Sequence, residues 1–444
     1  MLVRICPLLV FLVALPAFCQ VNPSAEGGST APEDDSQMMT PALVSGIAYP
    51  SVAGADMRSN FLDANLSVKA GYTNNILVAQ TSTPVNDYTY TISPTFTYDR
   101  ITTRQHMNFI YSPGFTFYEP DSVLDSTNQS ANFTFQERLS PSLAFDVTDS
   151  FLRTSDVFAV SFPFSSGVGG TTQSPVPAAL APFEEQTANN ASGAVSYQFG
   201  AHTMVGAGGT YSIYDFTNPG QTQGLYNSSG GSVSAFYDRR FARNQYAGLD
   251  YQYSRNVSNP SNVHVTTEMQ TLLPFYTLYF NRNFSVSAAV GLQNTNVTGT
   301  QQPAAASWLP AVVLSLGWQG YRTSLAANYL HTVNTGEGIS GAYKSNSFNS
   351  SGTWRISRTW RVGASAGYNT INATQLPTVA DYQGGSTFTG GMNLGHTMGN
   401  HFTAAVEYDR LQENFAGIPV IAASPDSDRE YVTVTYQFQK PLGR

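Results

Sequence analysis

Apolar and polar residues alternate along most of this chain with a period of two. In YTYTISPTFTYD, Tyr88 to Asp99, the side chains of Tyr88, Tyr90, Ile92, Phe96 and Tyr98 interleave with the hydroxyls of Thr89, Thr91, Ser93, Thr95 and Thr97. The same rhythm runs through Leu62, Ala64, Leu66, Val68, Ala70 and Tyr72, through Phe284, Val286, Ala288, Val290 and Leu292, and through Val432, Val434, Tyr436 and Phe438. A strand sends successive side chains to opposite faces, so this period predicts strands with one apolar and one polar face. Eighteen such segments can be counted from Leu62 onward, each of about 10 to 16 residues, long enough to cross a bilayer at a tilt. The pattern is weakest near 230–239, 305–319 and 343–357, which keeps a count of sixteen open.

The connections between segments alternate short and long. Short ones fall near 100–104, 138–142, 200–202, 239–244, 281–283, 320–322, 355–361 and 396–401. Longer ones fall near 75–86, 119–126, 154–188, 215–229, 256–262, 295–304, 333–342, 370–384 and 412–428. A soluble sandwich has no reason to keep that rhythm, whereas a transmembrane barrel has short periplasmic turns and long external loops. The expected fold is all-β: a transmembrane antiparallel up-and-down barrel with both termini on the periplasmic side.

Charge sorts the same two groups independently. The eight short turns hold eleven arginines (Arg100, Arg104, Arg138, Arg239, Arg240, Arg243, Arg282, Arg322, Arg355, Arg358, Arg361) and no acid. The nine long loops hold eleven acids, among them Glu119, Asp121, Asp125, Asp215 and Glu337, plus Asp428 at the edge of the final strand, and no Lys or Arg. Arginines at one rim suit lipid phosphates there.

Composition narrows the class further. Charged residues make up 11% of the chain and no apolar run after the N-terminus is long enough for a spanning helix, which excludes a helical membrane protein. A net charge of -8 argues against nucleic acid as a partner. The start, MLVRICPLLVFLVALPAFCQ, reads as a signal peptide over 1–19, with Arg4 before an apolar core from Ile5 to Phe18. Cleavage after Cys19 removes both cysteines, Cys6 and Cys19, which suits an envelope compartment. The rival reading, a lipoprotein acylated on Cys19, is disfavoured by the bulk of Phe18. Residues 20–60 read as a flexible periplasmic segment, and 61–444 as an outer-membrane barrel.

The final strand, YVTVTYQF, resembles the C-terminal assembly signal of outer-membrane barrels, although QKPLGR follows Phe438 where many barrels end on the aromatic. That resemblance implies the barrel-assembly machinery as a partner, beside outer-membrane lipids. YTYTISPTFTYDR, MNFIYSPGFTFYEP and NFTFQERLSPSLAFDVTDSFLRTSD resemble the early strands of the beta-barrel porin 2 group, over about residues 62–155. That group includes barrels associated with exopolysaccharide or capsule export, so the resemblance implies polysaccharide as one candidate cargo. It carries no functional residue across.

Candidate chemistry is sparse. GASAG, Gly363 to Gly367, fits the G-x-S-x-G pattern, but that nucleophile needs a strand-to-helix elbow and Ser365 falls mid-strand. The six histidines are scattered; His396 and His401 flank one turn, where rim hydration explains them better than a metal. No enzyme activity, cofactor or metal is expected. The polar face is more informative. On the alternation, inward candidates are Asp63, Lys69, Asp146, Asp250, Glu268, Arg361, Glu407 and Asp409. Acids outnumber bases, which in a water-filled bore favours cations or neutral polar solutes. The alternative is that these groups pair and plug the bore. The longest connection, 154–188, carries Phe158, Phe162 and Phe164, then Glu184 and Glu185, and is the candidate for a loop that folds inward to narrow the pore. The expectation is a passive outer-membrane channel; a non-conducting barrel acting as adhesin, scaffold or assembly partner is the alternative.

Overall fold

The computed structural model describes residues 60–75, 86–119, 122–155, 185–217, 226–259, 264–281, 283–299, 307–336, 339–375, 384–399, 401–416 and 426–441. The first six strands are β1 (Phe61–Thr73), β2 (Asp87–Ile101), β3 (Gln105–Glu119), β4 (Ser126–Ser140), β5 (Leu143–Thr154) and β6 (Gln186–Phe199). They continue as β7 (Thr203–Phe216), β8 (Ser228–Ala242), β9 (Gln245–Ser258), β10 (Val265–Asn281), β11 (Phe284–Thr298) and β12 (Ser307–Gln319). The last six are β13 (Thr323–Gly336), β14 (Ile339–Arg355), β15 (Trp360–Gln375), β16 (Gly384–Met398), β17 (Phe402–Ala416) and β18 (Asp426–Pro441). From β2 onward each strand pairs antiparallel with the next, β1 lies beside β2, and β1 pairs with β18 from Phe61↔Pro441 to Thr73↔Arg429. The chain is a closed barrel of eighteen strands.

The two faces follow the alternation. On β2, Tyr88, Tyr90, Ile92 and Phe96 are exposed on the outside while Thr89 and Thr97 are buried inside. Tyr197, Phe199, Phe241, Phe280, Trp308, Trp354 and Phe402 continue an apolar outer surface around the wall. A continuous surface of this kind is far larger than a soluble monomer exposes, and it fits hydrocarbon. Inside, hydroxyls meet across strands, as Ser67 with Thr435 at 2.9 Å and Thr277 with Ser287 at 2.9 Å.

Prolines interrupt the ladders without moving them. Between β2 and β3 the register runs to Ile92↔Phe115 and resumes at Phe96↔Tyr111, skipping the stretch that holds Pro94 and Pro113. The spacing is unchanged, so the interruption is a gap and not a bulge. Proline has no N–H to give the ladder, and here Thr95 and Ser112 join their hydroxyls at 2.7 Å across the gap. Pro274 on β10 falls in a similar gap toward β11, between Leu272↔Leu292 and Phe275↔Ala289.

Glycines on the inner wall are covered by rings from the strand alongside. Gly71 faces Tyr431, Gly206 faces Phe236 and Gly248 faces Phe275 in register. A Cβ at any of the three would strike that ring. The rings lie along the wall, and they compensate for the side chain the glycine lacks.

One connection differs from its expected form. Residues 333–342 read as a long external loop, but β13 runs to Gly336 and β14 starts at Ile339. The strands continue because the hairpin packs against the barrel. The ladder from β12 to β13 ends at Val312↔His331, leaving Ser307–Ala311 of β12 paired only with β11. Pro310 lies in that stretch. Beyond His331 the hairpin lies against β9, β10 and β11, strands that are not its neighbours in the wall.

Candidate channel lumen

Inward carboxylates gather toward the short-turn end of the barrel. Asp63 on β1, Asp99 on β2, Asp146 on β5, Asp238 on β8 and Asp250 on β9 are all buried on the inner face. Asp99 accepts from Asn108 Nδ2 at 3.1 Å and lies 3.6 Å from His106 Nε2. Asp63 accepts from the Ala64 amide at 3.1 Å. Asp146 stands opposite Gln136 in the register. The Asp238 carboxylate is fully buried, with the backbone amide of Arg239 beside it as a donor.

A second charged zone lies on β1, β17 and β18. Lys69 Nζ reaches Glu407 Oε2 at 3.4 Å, and Thr433 Oγ1 donates to Glu407 Oε1 at 3.5 Å. The Tyr431 ring has Lys69 Nζ 5.5 Å from its centre and the Arg429 guanidinium at 5.4 Å. Both distances are within cation–π range. Asp409 follows Glu407 on the inward phase of β17, and Arg361 is on the inward phase of β15 near its start.

Glu268 is a correction. Along β10 the buried residues are Val265, Thr267, Thr271, Leu273, Phe275, Thr277 and Tyr279, so Glu268 belongs to the opposite, outward phase. It accepts from Tyr253 Oη at 3.2 Å and stands opposite Arg255. Inward apolar side chains at Leu273 and Phe275 obscure the alternation there. Glu185 is the second correction. Arg153 Nη2 donates to its Oε1 at 2.6 Å, Thr217 Oγ1 at 3.2 Å, and Arg153 is on the outward phase of β5. That pairing ties Glu185 to the outer side of the rim and away from the bore. Phe158, Phe162, Phe164 and Glu184 lie outside the described residues.

The inner wall is also more apolar than its hydroxyl count implies. Leu273, Phe275, Ala289, Ala311 and Val313 form one buried inward cluster with Leu330 against it. Ala194, Met204, Phe236, Tyr246 and Tyr279 form another. A third involves the displaced hairpin: Val333 and Ala342 pack on Val265 and Val297, with Met269 and Leu309 alongside. Val333 and Ala342 continue the phase that points to lipid lower on β13 and β14, whereas Val265 and Val297 belong to the inner wall. The β13 edge of the hairpin has slipped inside the wall as a second layer, while β14 stays paired with β15 up to Ala342↔Gln375.

Gln293 on β11 holds that layer. Its Oε1 accepts from the Val333 amide at 2.7 Å, and its Nε2 donates to the Val333 carbonyl at 3.2 Å. The same nitrogen lies 3.1 Å from Met269 Sδ. At the bend, His331 Nδ1 and Asn346 Oδ1 are 2.5 Å apart, and Asn346 Nδ2 donates to Thr370 Oγ1 at 3.1 Å.

Ser365 pairs with Ser351 and Gly391 inside β15, with no turn beside it. His396 stacks on Trp360 at 4.3 Å, while His401 Nδ1 contacts the Gln437 carbonyl at 2.8 Å. The two histidines flank one turn but engage different groups. Among the described residues no cluster of three metal-ligating side chains occurs.

No family model matches the chain, and no curated protein does. Among solved structures the chain is similar to OccK2 (OpdF) of Pseudomonas aeruginosa, at 9% identity and a TM-score of 0.43, over 86% of this chain and 98% of that one. The outer membrane protein OpdK of the same organism matches at 10% identity and a TM-score of 0.39, over 85% of this chain and 99% of that one. OccAB4 of Acinetobacter baumannii matches at 9% identity and a TM-score of 0.39, over 86% and 99%. The barrel assignment rests on the chain's own ladders, which close it through β1 and β18.

Proposed function

We propose that this protein is an outer-membrane channel for passive passage of polar solutes, mildly favouring cations and neutral solutes over anions. The observation that carries the reading is a closed wall, apolar outside, on whose inner face the carboxylates Asp63, Asp99, Asp146, Asp250, Glu407 and Asp409 outnumber the bases Lys69, Arg240, Arg361 and Arg429. A barrel of this strand number is wide enough for an aqueous bore. Fixed negative charge along such a bore attracts cations and repels anions. Asp63, Lys69, Asp146, Asp250, Arg361, Glu407 and Asp409 are the pore-lining residues on this reading. Lipids of the outer membrane surround it, and the last strand addresses the assembly machinery. The resemblance of the early strands adds exopolysaccharide as a candidate cargo.

The packed apolar clusters on the inner face favour a second reading, a filled barrel that serves as scaffold or adhesin. Planar-bilayer recording of the purified barrel decides between them. The channel reading expects discrete conductance steps and a reversal potential on the cation side in a salt gradient. A correctly folded barrel that stays silent supports the scaffold.

A further inference from the structure

We infer that the β13–β14 hairpin is the size-limiting element of the bore, latched inside the wall by the Gln293 side chain. The inference rests on the channel reading above and names the part of the channel that sets its aperture.

Three observations converge on it. The β13 edge of the hairpin leaves the wall where its ladder to β12 ends, at Val312↔His331, and the hairpin reaches inward to β9, β10 and β11 while β14 keeps its ladder with β15 as far as Ala342↔Gln375. A strand pair that crosses inside the wall takes cross-section from the lumen at that height. Next, Val333 and Ala342 are 1% and 0% exposed, packed on Val265 and Val297 of the inner wall. Dry apolar contact of this kind makes the inner layer a defined second position for the hairpin.

The third observation is the latch. Beyond His331 the β13 backbone has lost β12 as a partner, and a buried peptide group without a partner is costly. Gln293 restores both hydrogen bonds of Val333 with one primary amide, which presents an acceptor and a donor side by side. Gln293 is on β11, so the contact spans β12.

This latch predicts how the channel responds when it is removed. Losing one hydrogen bond shifts a docked-to-undocked ratio by about fivefold, so two lost bonds shift it by roughly twentyfold. The test uses Gln293→Ala and Gln293→Leu in the full barrel, with heat-modifiable gel mobility as the check on folding. A single cysteine, Val333→Cys, is labelled with a membrane-impermeant maleimide with Gln293 present or replaced. The expected result is slow labelling with Gln293 and at least about tenfold faster labelling without it. Single-channel conductance should rise about twofold, and polyethylene glycols of larger mass should enter the bore, since conductance scales with the open cross-section.

Labelling that is unchanged by Gln293→Ala, or already fast with Gln293 in place, overturns the latch. Faster labelling with unchanged conductance and unchanged polymer exclusion overturns the hairpin as the size-limiting element. A folded barrel that is silent in wild type and variants alike instead sinks the channel reading itself.

Discussion

Lys69 on β1 and Glu407 on β17 meet at 3.4 Å across β18, although their strands are not neighbours in the wall. Both side chains are partly exposed, at 26% and 18%, so the pair faces the bore. Lys69→Met removes the cation beside Glu407 and adds net negative charge to the lumen, so the reversal potential should move further toward cations. Glu407→Gln should move it the other way. A double-mutant cycle should give a coupling of about 0.5–1 kcal/mol, the range of partly exposed pairs. A reversal potential that ignores both substitutions would show that permeant ions do not pass this pair.

Asp238 is fully buried, and the backbone amide of Arg239 is the donor beside its carboxylate. Replacing it with Leu removes a desolvated polar group from a wall already packed by Phe236 and Tyr246. The expected effect is a gain of about 1–3 kcal/mol in urea unfolding of the lipid-reconstituted barrel. A loss of stability would reveal a compensating interaction of the carboxylate.

The ring of Phe275 occupies the space a side chain at Gly248 would need. Gly248→Val should drive that ring off the wall, costing about 1–3 kcal/mol as an overpacked site. It should also lower conductance, because the displaced ring projects into the lumen. Phe275→Ala in the same background should recover the conductance but only part of the stability, because the Tyr237 carbonyl also lies too close to the added Cβ.

Pro94 and Pro113 leave a gap in the β2–β3 ladder without shifting its register. Pro113→Thr restores one N–H where the spacing is already correct. Stability should rise by about 0.5–1.5 kcal/mol, with slower amide exchange around 112–114. Exchange that stays fast would mean that the gap persists without the proline.

Much of the fold was legible because a strand's two faces answer to two solvents. Tyr88, Tyr90, Ile92 and Phe96 stand outside and Thr89 and Thr97 inside, as their alternation requires. Asp99 is absent from the inward candidates read from the sequence, although it continues the phase of those hydroxyls and could have been found by it. The alternation fails where both faces of a strand are apolar. On β10, Leu272 faces out while Leu273 and Phe275 pack inward, and the parity of Glu268 was lost with them. The inward hairpin was illegible for a different reason. Thr332–Tyr343 has the small and polar composition of a loop, and the contact that seats Val333 inside the wall, with Gln293, spans forty residues of chain. The partner of an amide is a tertiary fact, and no local pattern encodes it.

The seam between β1 and β18 has a consequence for the order of assembly. Ser67 and Thr435 share a hydrogen bond across 368 residues of chain, while every other adjacent pair of strands is close in sequence. Hairpins can zip as soon as their two strands exist, but this seam must wait for the last residues to be synthesised. Contacts of such long separation carry the greatest loop-closure entropy and form late. Until then the chain is an open sheet with two bare edges, β1 and whichever strand was added last. Protection of those edges during biogenesis is therefore a requirement of the topology, and the step that removes them is also the step that turns a sheet into a tube.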